Sequence, residues 1–151
     1  MRVKKGVEFA VSLRNRPLAE LLEKLAAIQV NIKAFILYTS FITNIPNVPK
    51  VAGVCKMLVD NDEEARKAFR DLNVEFWEEE VLLLRAPDQP GLFATVLGRL
   101  AEAGLNVKDG YACVPSGQED VLMVFSVYDI EGSLSVFSTA LNKLSEKSLR
   151  L

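Results

Sequence analysis

Two nine-residue stretches of this chain are similar to each other, Leu25-Ala26-Ala27-Ile28-Gln29-Val30-Asn31-Ile32-Lys33 and Leu100-Ala101-Glu102-Ala103-Gly104-Leu105-Asn106-Val107-Lys108. The two asparagines, Asn31 and Asn106, are 75 positions apart in a chain of 151 residues. Each copy follows apolar residues at helical spacing and precedes an apolar run that is typical of a strand. An internal repeat of this kind predicts two copies of one structural unit.

The order of predicted elements repeats in the same way. In the first copy we expect strands at about 7–13, 31–40, 51–60 and 74–78, with helices at 17–29 and 62–72. In the second copy we expect strands at about 81–86, 106–114, 121–128 and 148–151, with helices at 91–103 and 130–143. Asn61 stands three residues before Glu64, which is the spacing of a capping box. The order β-α-β-β-α-β, found twice, predicts an α+β protein of two ferredoxin-like modules, residues 1–79 and 80–151, each an antiparallel sheet with helices on one face.

The composition excludes several classes of function. The chain has no histidine, which removes the commonest general base and every catalytic triad that needs an imidazole. A net charge of −2 offers no electrostatic basis for binding nucleic acid. Cys55 and Cys113 lack CxxC spacing, so we expect reduced thiols in a cytoplasmic protein. No apolar run is long enough to span a membrane. We therefore expect a protein that is not an enzyme and uses no metal or cofactor.

Two predicted strands are apolar on both faces, at residues 34–38 and 121–125. A sheet covered by helices on one side should alternate apolar and polar residues along each strand. One interpretation is that these strands lie at the centre of a sheet. Our preferred interpretation is that their second face is buried against another sheet, from the sister copy or from a second chain. We therefore expect a homodimer.

The segment Asp88-Gln89-Pro90-Gly91-Leu92 joins the first strand of the second copy to its first helix. Asp88 can cap this helix, Pro90 fits its first turn, and Gly91 lets a ligand approach the backbone closely. The free amides and partial positive charge at a helix start attract a carboxylate. The same residue types are also an ordinary way to begin a helix.

In its wider context this segment resembles the signature of a known family. Asp-x-Pro-Gly-Leu is followed by Leu-Ala-Glu-Ala-Gly at the predicted helix end and by Leu-Asn-Val at the strand entry. This pattern is similar to that of ACT domains, small ferredoxin-like modules that bind amino acids and regulate metabolic enzymes or transcription. The close match covers residues 84–111, and the first copy is similar more loosely through Asn15-Arg16-Pro17-Leu18 and Val30-Asn31-Ile32.

The resemblance implies a tandem ACT protein, a non-enzymatic regulator that senses an amino acid or a related small ligand where two modules meet. The ligand-binding residues that it implies are Asp88, Gln89, Pro90, Gly91, Leu92, Asn106 and Val107 in the second module, and Asn15, Arg16, Asn31 and Ile32 in the first. The ammonium group would then bind Asp88 or Asn106. The carboxylate would bind the amides around Gly91 and Leu92.

The first copy departs from this pattern. It lacks the glycine, has Asn15 where the second copy has Asp88, and is two residues shorter between its proline and its repeated leucine. Its loop can therefore be purely structural, and Asn31 and Asn106 can simply turn the chain from helix into strand. The alternative function is a ligand-free subunit that docks on a metabolic enzyme. A small enzyme of the acylphosphatase type is a third possibility, although the glycine-rich cradle of that fold relative is missing here.

Overall fold

The computed structural model describes residues 1–13, 18–42, 50–114 and 119–138. Its strands and helices are β1 (Arg2–Ser12), α1 (Leu18–Ala27), β2 (Ile32–Ile42), β3 (Lys50–Val59), α2 (Asp62–Asp71), β4 (Phe76–Pro87), α3 (Leu92–Glu102), β5 (Val107–Cys113) and β6 (Asp120–Val127). Residues 130–138 are also helical and are called α4 here. The predicted α+β class is thus confirmed. The predicted strand at 148–151 and the end of the last predicted helix lie outside the described residues.

The strands follow the order β2-β3-β1-β4-β6-β5. The pairs β1 with β3, β2 with β3, β4 with β6 and β5 with β6 are all antiparallel. Within each pair the register puts apolar residues on one shared face, for example Phe9 opposite Met57 and Leu84 opposite Met123. Antiparallel pairing agrees with the sequence-based expectation for these strands.

The chain divides into two compact units, one of residues 7–79 and one of residues 1–6 together with 80–151. Both β1 and β4 contribute to the two units, because each strand crosses a unit boundary. The sequence predicted separate strands at 74–78 and 81–86, but β4 runs uninterrupted through Glu78-Glu79-Glu80. No glycine or proline occurs between Phe76 and Ala86 to end the strand.

The first six residues were not predicted as a strand, and their contacts explain why they form one. Arg2 donates a hydrogen bond to Asp120 at 3.1 Å, and Lys5 donates one to Glu131 at 2.7 Å. A Cβ at Gly6 would lie only 2.4 Å from the Leu83 side chain, so Leu83 occupies the space above this glycine. The partners of residues 1–6 are therefore distant in the chain, and local sequence patterns do not reveal them.

The unit of residues 7–79 has one apolar core. Phe9 and Met57 are fully buried on the strands, and Leu25 and Phe69 are buried on the helices that cover them. The rings of Phe9 and Phe69 meet edge to face with centroids 5.3 Å apart. The predicted cap of α2 is confirmed, since the Asn61 side chain accepts a hydrogen bond from the Glu64 amide at 3.2 Å.

The other unit has a second core, in which Leu84 of β4, Met123 of β6 and Leu100 of α3 are buried. Residues 121–127 of β6 are buried on both faces of the strand, as the sequence led us to expect. In β2 of the single chain, by contrast, Phe35 is 43% and Leu37 is 42% exposed. The reason is position, because β6 has a neighbour on each side whereas β2 is an edge strand.

Candidate functional site

The candidate site begins where β4 ends and α3 starts. The sequence predicted Asp88 as the cap of α3, and this prediction is wrong. The N-cap residue is Gly91, which has φ of 87°. As a glycine it has no side chain that could accept a hydrogen bond from the first amides of the helix. Asp88 instead uses its backbone amide to donate to the Glu119 carbonyl oxygen at 3.0 Å. The turn at Pro90 and Gly91 comes before the helix begins, so Asp88 stands too early in the chain to cap the helix.

The start of α3 presents unsatisfied donors. The Leu92 amide donates to the Gln89 carbonyl at 3.2 Å, and the Thr95 amide donates to the Gly91 carbonyl at 2.9 Å. The intervening amides of Phe93 and Ala94 have no acceptor within the helix, as is usual for its first turn. Together with the helix dipole, these two amides form a potential binding site for an anion.

The space around Gly91 is open. A Cβ placed on Gly91 would meet no atom within 4 Å, and residues 88–91 are all exposed. The side chains of Asp88 and Gln89 have no hydrogen-bond or ion-pair partner within the described part of the chain. A ligand can therefore approach the amides of α3 and meet a carboxylate and an amide side chain at the same place.

Three of the implied ligand-binding residues belong to an apolar core or pack against one. Leu92 is 7% exposed and belongs to the core beneath α3. Val107 packs against the same core, and Ile32 packs against the core of the other unit. The Leu92 side chain faces the protein interior, because it is the first residue of the buried stripe of α3, so any contact with a ligand would be made by its backbone.

The backbone carbonyls of Asn31 and Asn106 accept equivalent hydrogen bonds. The Asp60 amide donates to the Asn31 carbonyl at 3.0 Å, and the Tyr128 amide donates to the Asn106 carbonyl at 3.4 Å. Before them, Gln29 and Gly104 end α1 and α3 with positive φ values of 62° and 72°. The internal repeat is thus a shared helix end and strand entry, which supports the structural role of these asparagines.

The loop at residues 88–91 and Asn106 do not meet within their unit. Pro87, next to the loop, pairs with Asp120 at one end of β6, whereas Val107, next to Asn106, pairs with Val127 at the other end. The eight residues of β6 span roughly 23 Å at about 3.3 Å per residue. A ligand that contacts both regions needs one of them from another module.

The first copy adds little to the candidate site. Asn15 and Arg16 lie outside the described residues. Asn31 is exposed, and its amide donates to the Asp60 carboxylate at 2.9 Å. This backbone contact closes the entry to β2 and leaves the Asn31 side chain facing solvent.

Glu78, Glu80 and Cys55 lie outside this site and have structural surroundings. Arg66 donates two hydrogen bonds to Glu78, one of them at 3.0 Å, and this contact lowers the pKa of the Glu78 carboxyl. Glu80 lies 3.5 Å from Lys5, so members of the acidic run at 78–80 pair with different cations. Burial raises the pKa of Cys55 to about 12, which leaves it a protonated thiol at neutral pH.

Within residues 1–13, 18–42, 50–114 and 119–138, no three metal-ligating side chains of His, Cys, Asp or Glu come together. Among those same residues, no helix is both long and apolar enough to cross a membrane. Both cysteines are free thiols.

No protein-family model matches the chain, and no curated protein matches its sequence. Its fold does match solved structures. Protein BT0572 from Bacteroides thetaiotaomicron has a TM-score of 0.77 and 20% sequence identity, over 91% of this chain and 90% of that one. The ligand-free regulatory subunit of aspartate kinase from Thermus thermophilus has a TM-score of 0.58 and 13% identity, over 91% of this chain and 95% of that one. The corresponding subunit from Thermus flavus has a TM-score of 0.55 and 14% identity, over 93% and 97% of the two chains. At these identities the similarity establishes a shared fold.

Proposed function

We propose that this chain is a non-enzymatic regulatory protein that binds an amino acid at the start of α3. The observation that carries the proposal is the uncapped helix start at Gly91, which is exposed, lacks a Cβ and stands beside Asp88. The fold shared with the aspartate kinase regulatory subunits supports a regulatory role. We further propose that residues 1–79 and 80–151 are two ACT-like modules of a cytoplasmic protein, with residues 1–6 contributing a strand to the second.

The proposed binding mode places complementary charges at the ends of the ligand. The ligand carboxylate accepts hydrogen bonds from the Phe93 and Ala94 amides, where the helix dipole adds a favourable interaction of about 0.3–1 kcal/mol. The ligand ammonium pairs with the Asp88 carboxylate. Because Asn106 lies at the far end of β6, we propose that the Asn106 region of another module completes the pocket. Binding would then change how modules pack, with coupling of about 1–3 kcal/mol.

We test the site with Gly91→Val, which adds a β-branched side chain where φ is 87° and crowds the free amides. The wild-type protein should show a rise in melting temperature of about 5–10 °C with one of the twenty amino acids at 100 times its Kd. Gly91→Val should abolish this rise. The control is Leu18→Ala, which removes a side chain packed against the core of residues 7–79 and should lower stability without changing the response to ligand. Equal loss of response in both variants would show that the first copy also binds ligand, contrary to the proposal.

A homodimer is the second part of the proposal, and β2 is the surface that we assign to it. Among the described strands β2 ends the sheet, and it has 11 residues, so its outer backbone groups can pair with the same strand of a second copy. Phe35, Leu37 and Tyr38 on this strand are 43%, 42% and 46% exposed. Pairing would bury these side chains and so stabilise the dimer.

Light scattering of the double variant Phe35→Lys/Leu37→Lys tests this interface. At micromolar concentration the wild-type mass should be twice 16.7 kDa, and the variant should have the mass of one chain because opposed lysines repel each other. The matched control is Phe93→Lys, at an exposed phenylalanine of α3, which should remain dimeric. A wild-type mass of one chain would contradict the proposed dimer.

A second candidate function is a ligand-free subunit that docks on a metabolic enzyme. It is favoured by Phe93 and Leu97, which are one helical turn apart on α3 and are 45% and 41% exposed. The thermal-shift experiment distinguishes the two functions, because a docking subunit would show no rise with any amino acid.

A further inference from the structure

The unit of residues 1–6 and 80–138 contains a cavity that is separate from the start of α3. Its volume is about 250 Å³, and it is lined by Arg2, Val3, Lys4, Leu83, Arg85 and Leu122. Arg85 pairs with Leu122 and Leu83 pairs with Val124 across β4 and β6. Since side chains alternate along a strand, these residues lie on the face opposite to the core residues Leu82 and Leu84. The cavity is therefore on the helix-free face of the sheet.

Positive charge dominates this cavity. Arg2, Lys4 and Arg85 all line it, and the carboxylate of Asp120 lies 3.1 Å from Arg2. The Arg2 side chain is 77% exposed at this contact, which places the ion pair towards solvent. Lys4 has no ion-pair partner within the described residues. The lining thus brings the positive groups of Arg2, Lys4 and Arg85 to one small space, where they would interact favourably with a bound anion.

The rest of the lining is apolar and held in place. Leu83 and Leu122 come from neighbouring strands, and Leu122 is 6% exposed. Leu83 packs over Gly6, where a Cβ would approach its side chain to 2.4 Å. The missing side chain at Gly6 therefore gives Leu83 its position as one wall of the cavity.

We propose that this cavity binds a small aliphatic carboxylic acid. The carboxylate would lie between Lys4 and Arg85, and the hydrocarbon part would contact Leu83 and Leu122. A volume of about 250 Å³ lies below the range of about 300–1,000 Å³ that is typical of pockets for drug-sized ligands, so the cavity suits a small acid of about six carbons. The same cations repel an ammonium group, so the cavity selects against amino acids. This ligand class differs from the one proposed for the start of α3.

The test compares two probes that differ in one group. 4-Methylpentanoate has the carbon skeleton of leucine without the ammonium. We expect 4-methylpentanoate to bind the full-length protein with millimolar Kd in an NMR titration, and to shift resonances of Leu83 and Leu122. Lys4→Met and Arg85→Met should each weaken binding about tenfold, because a charge-assisted hydrogen bond is lost. Asp120→Asn should strengthen binding about threefold, because it removes the carboxylate that competes for Arg2.

Three controls make the result decisive. Lys67→Met removes an exposed lysine of α2 in the other unit and should leave the affinity unchanged. Gly91→Val should also leave it unchanged, which separates this site from the proposed amino-acid site. Arg85→Lys keeps the charge and should recover part of the affinity if Arg85→Met folds poorly. The inference is overturned if 4-methylpentanoate does not bind, if Lys4→Met binds it as tightly as the wild type, or if leucine binds at Leu83 and Leu122 with equal affinity.

Discussion

Replacing Lys56 by methionine is expected to destabilise the fold by about 3–5 kcal/mol, the range for leaving a buried charge without its partner. Lys56 on β3 lies 3.3 Å from the Glu8 carboxylate on β1, and their side chains are only 14% and 2% exposed. The pair lies opposite the apolar face, since Phe9 and Met57 beside them point into the core. Without the ammonium, the Glu8 carboxylate stays in a poorly solvated place with less compensating charge. Urea denaturation followed by circular dichroism measures the loss.

The double variant Glu8→Met/Lys56→Met is the informative control. It removes both charges and keeps apolar volume, so it should be within about 1–2 kcal/mol of the wild type. Lys67→Met, at an exposed lysine of α2, should change stability by less than about 0.5 kcal/mol. If Lys56→Met were as stable as Lys67→Met, the pair would contribute nothing and the Glu8 carboxylate would be satisfied by other groups alone.

Phe69→Ala should cost about 3–5 kcal/mol, as is typical for removing a buried aromatic side chain. Phe69 of α2 is fully buried. Its ring meets that of Phe9 at 5.3 Å and that of Phe76 at 5.2 Å between centroids. The change leaves a cavity beside the two remaining rings, those of Phe9 and Phe76. It also removes ring–ring contacts whose energy adds to that of burying the side chain. Urea denaturation gives the free energy of unfolding, and amide hydrogen exchange shows where the loss occurs.

The matched control for Phe69 is Phe93, which is 45% exposed on α3. Phe93→Ala should cost less than about 1 kcal/mol. We expect Phe69→Ala to accelerate exchange mainly in residues 7–79, because that unit has its own core. A uniform acceleration in both units would instead show that the chain unfolds as one cooperative body.

Local chemistry explains which features could be predicted from the sequence. The prediction that Asn61 caps α2 is confirmed. Such a cap depends only on residues three positions apart. Antiparallel α+β structure followed from periodicity. The cap at Asp88 was wrong because residue preference does not determine how many residues a turn uses before its helix begins. The strand at 2–6 was missed because its partners, Asp120 and Glu131, are distant in the chain.

The two candidate sites also differ in whether a local sequence pattern reveals them. The loop at residues 88–92 could be found from one contiguous motif. The basic cavity could not, because Lys4, Arg85 and Leu122 come from three strands whose order depends on the whole fold. One signal was available: Arg2 and Lys4 alternate, as do Leu83 and Arg85, and each pair therefore shares a face once both segments are strands.

The strand at residues 2–6 also affects how the chain acquires its structure during synthesis. These residues are made before the other described strands, and the partners of Arg2 and Lys5 follow 118 and 126 positions later. At about 5–20 residues per second, the first strand waits on the order of 6–25 s before those partners have been made. Until β6 has been made, the edge of β4 that pairs with it is open to pairing with other chains. The unit of residues 1–6 and 80–138 therefore depends on contacts between residues far apart in the chain, and long-range closure of this kind slows folding.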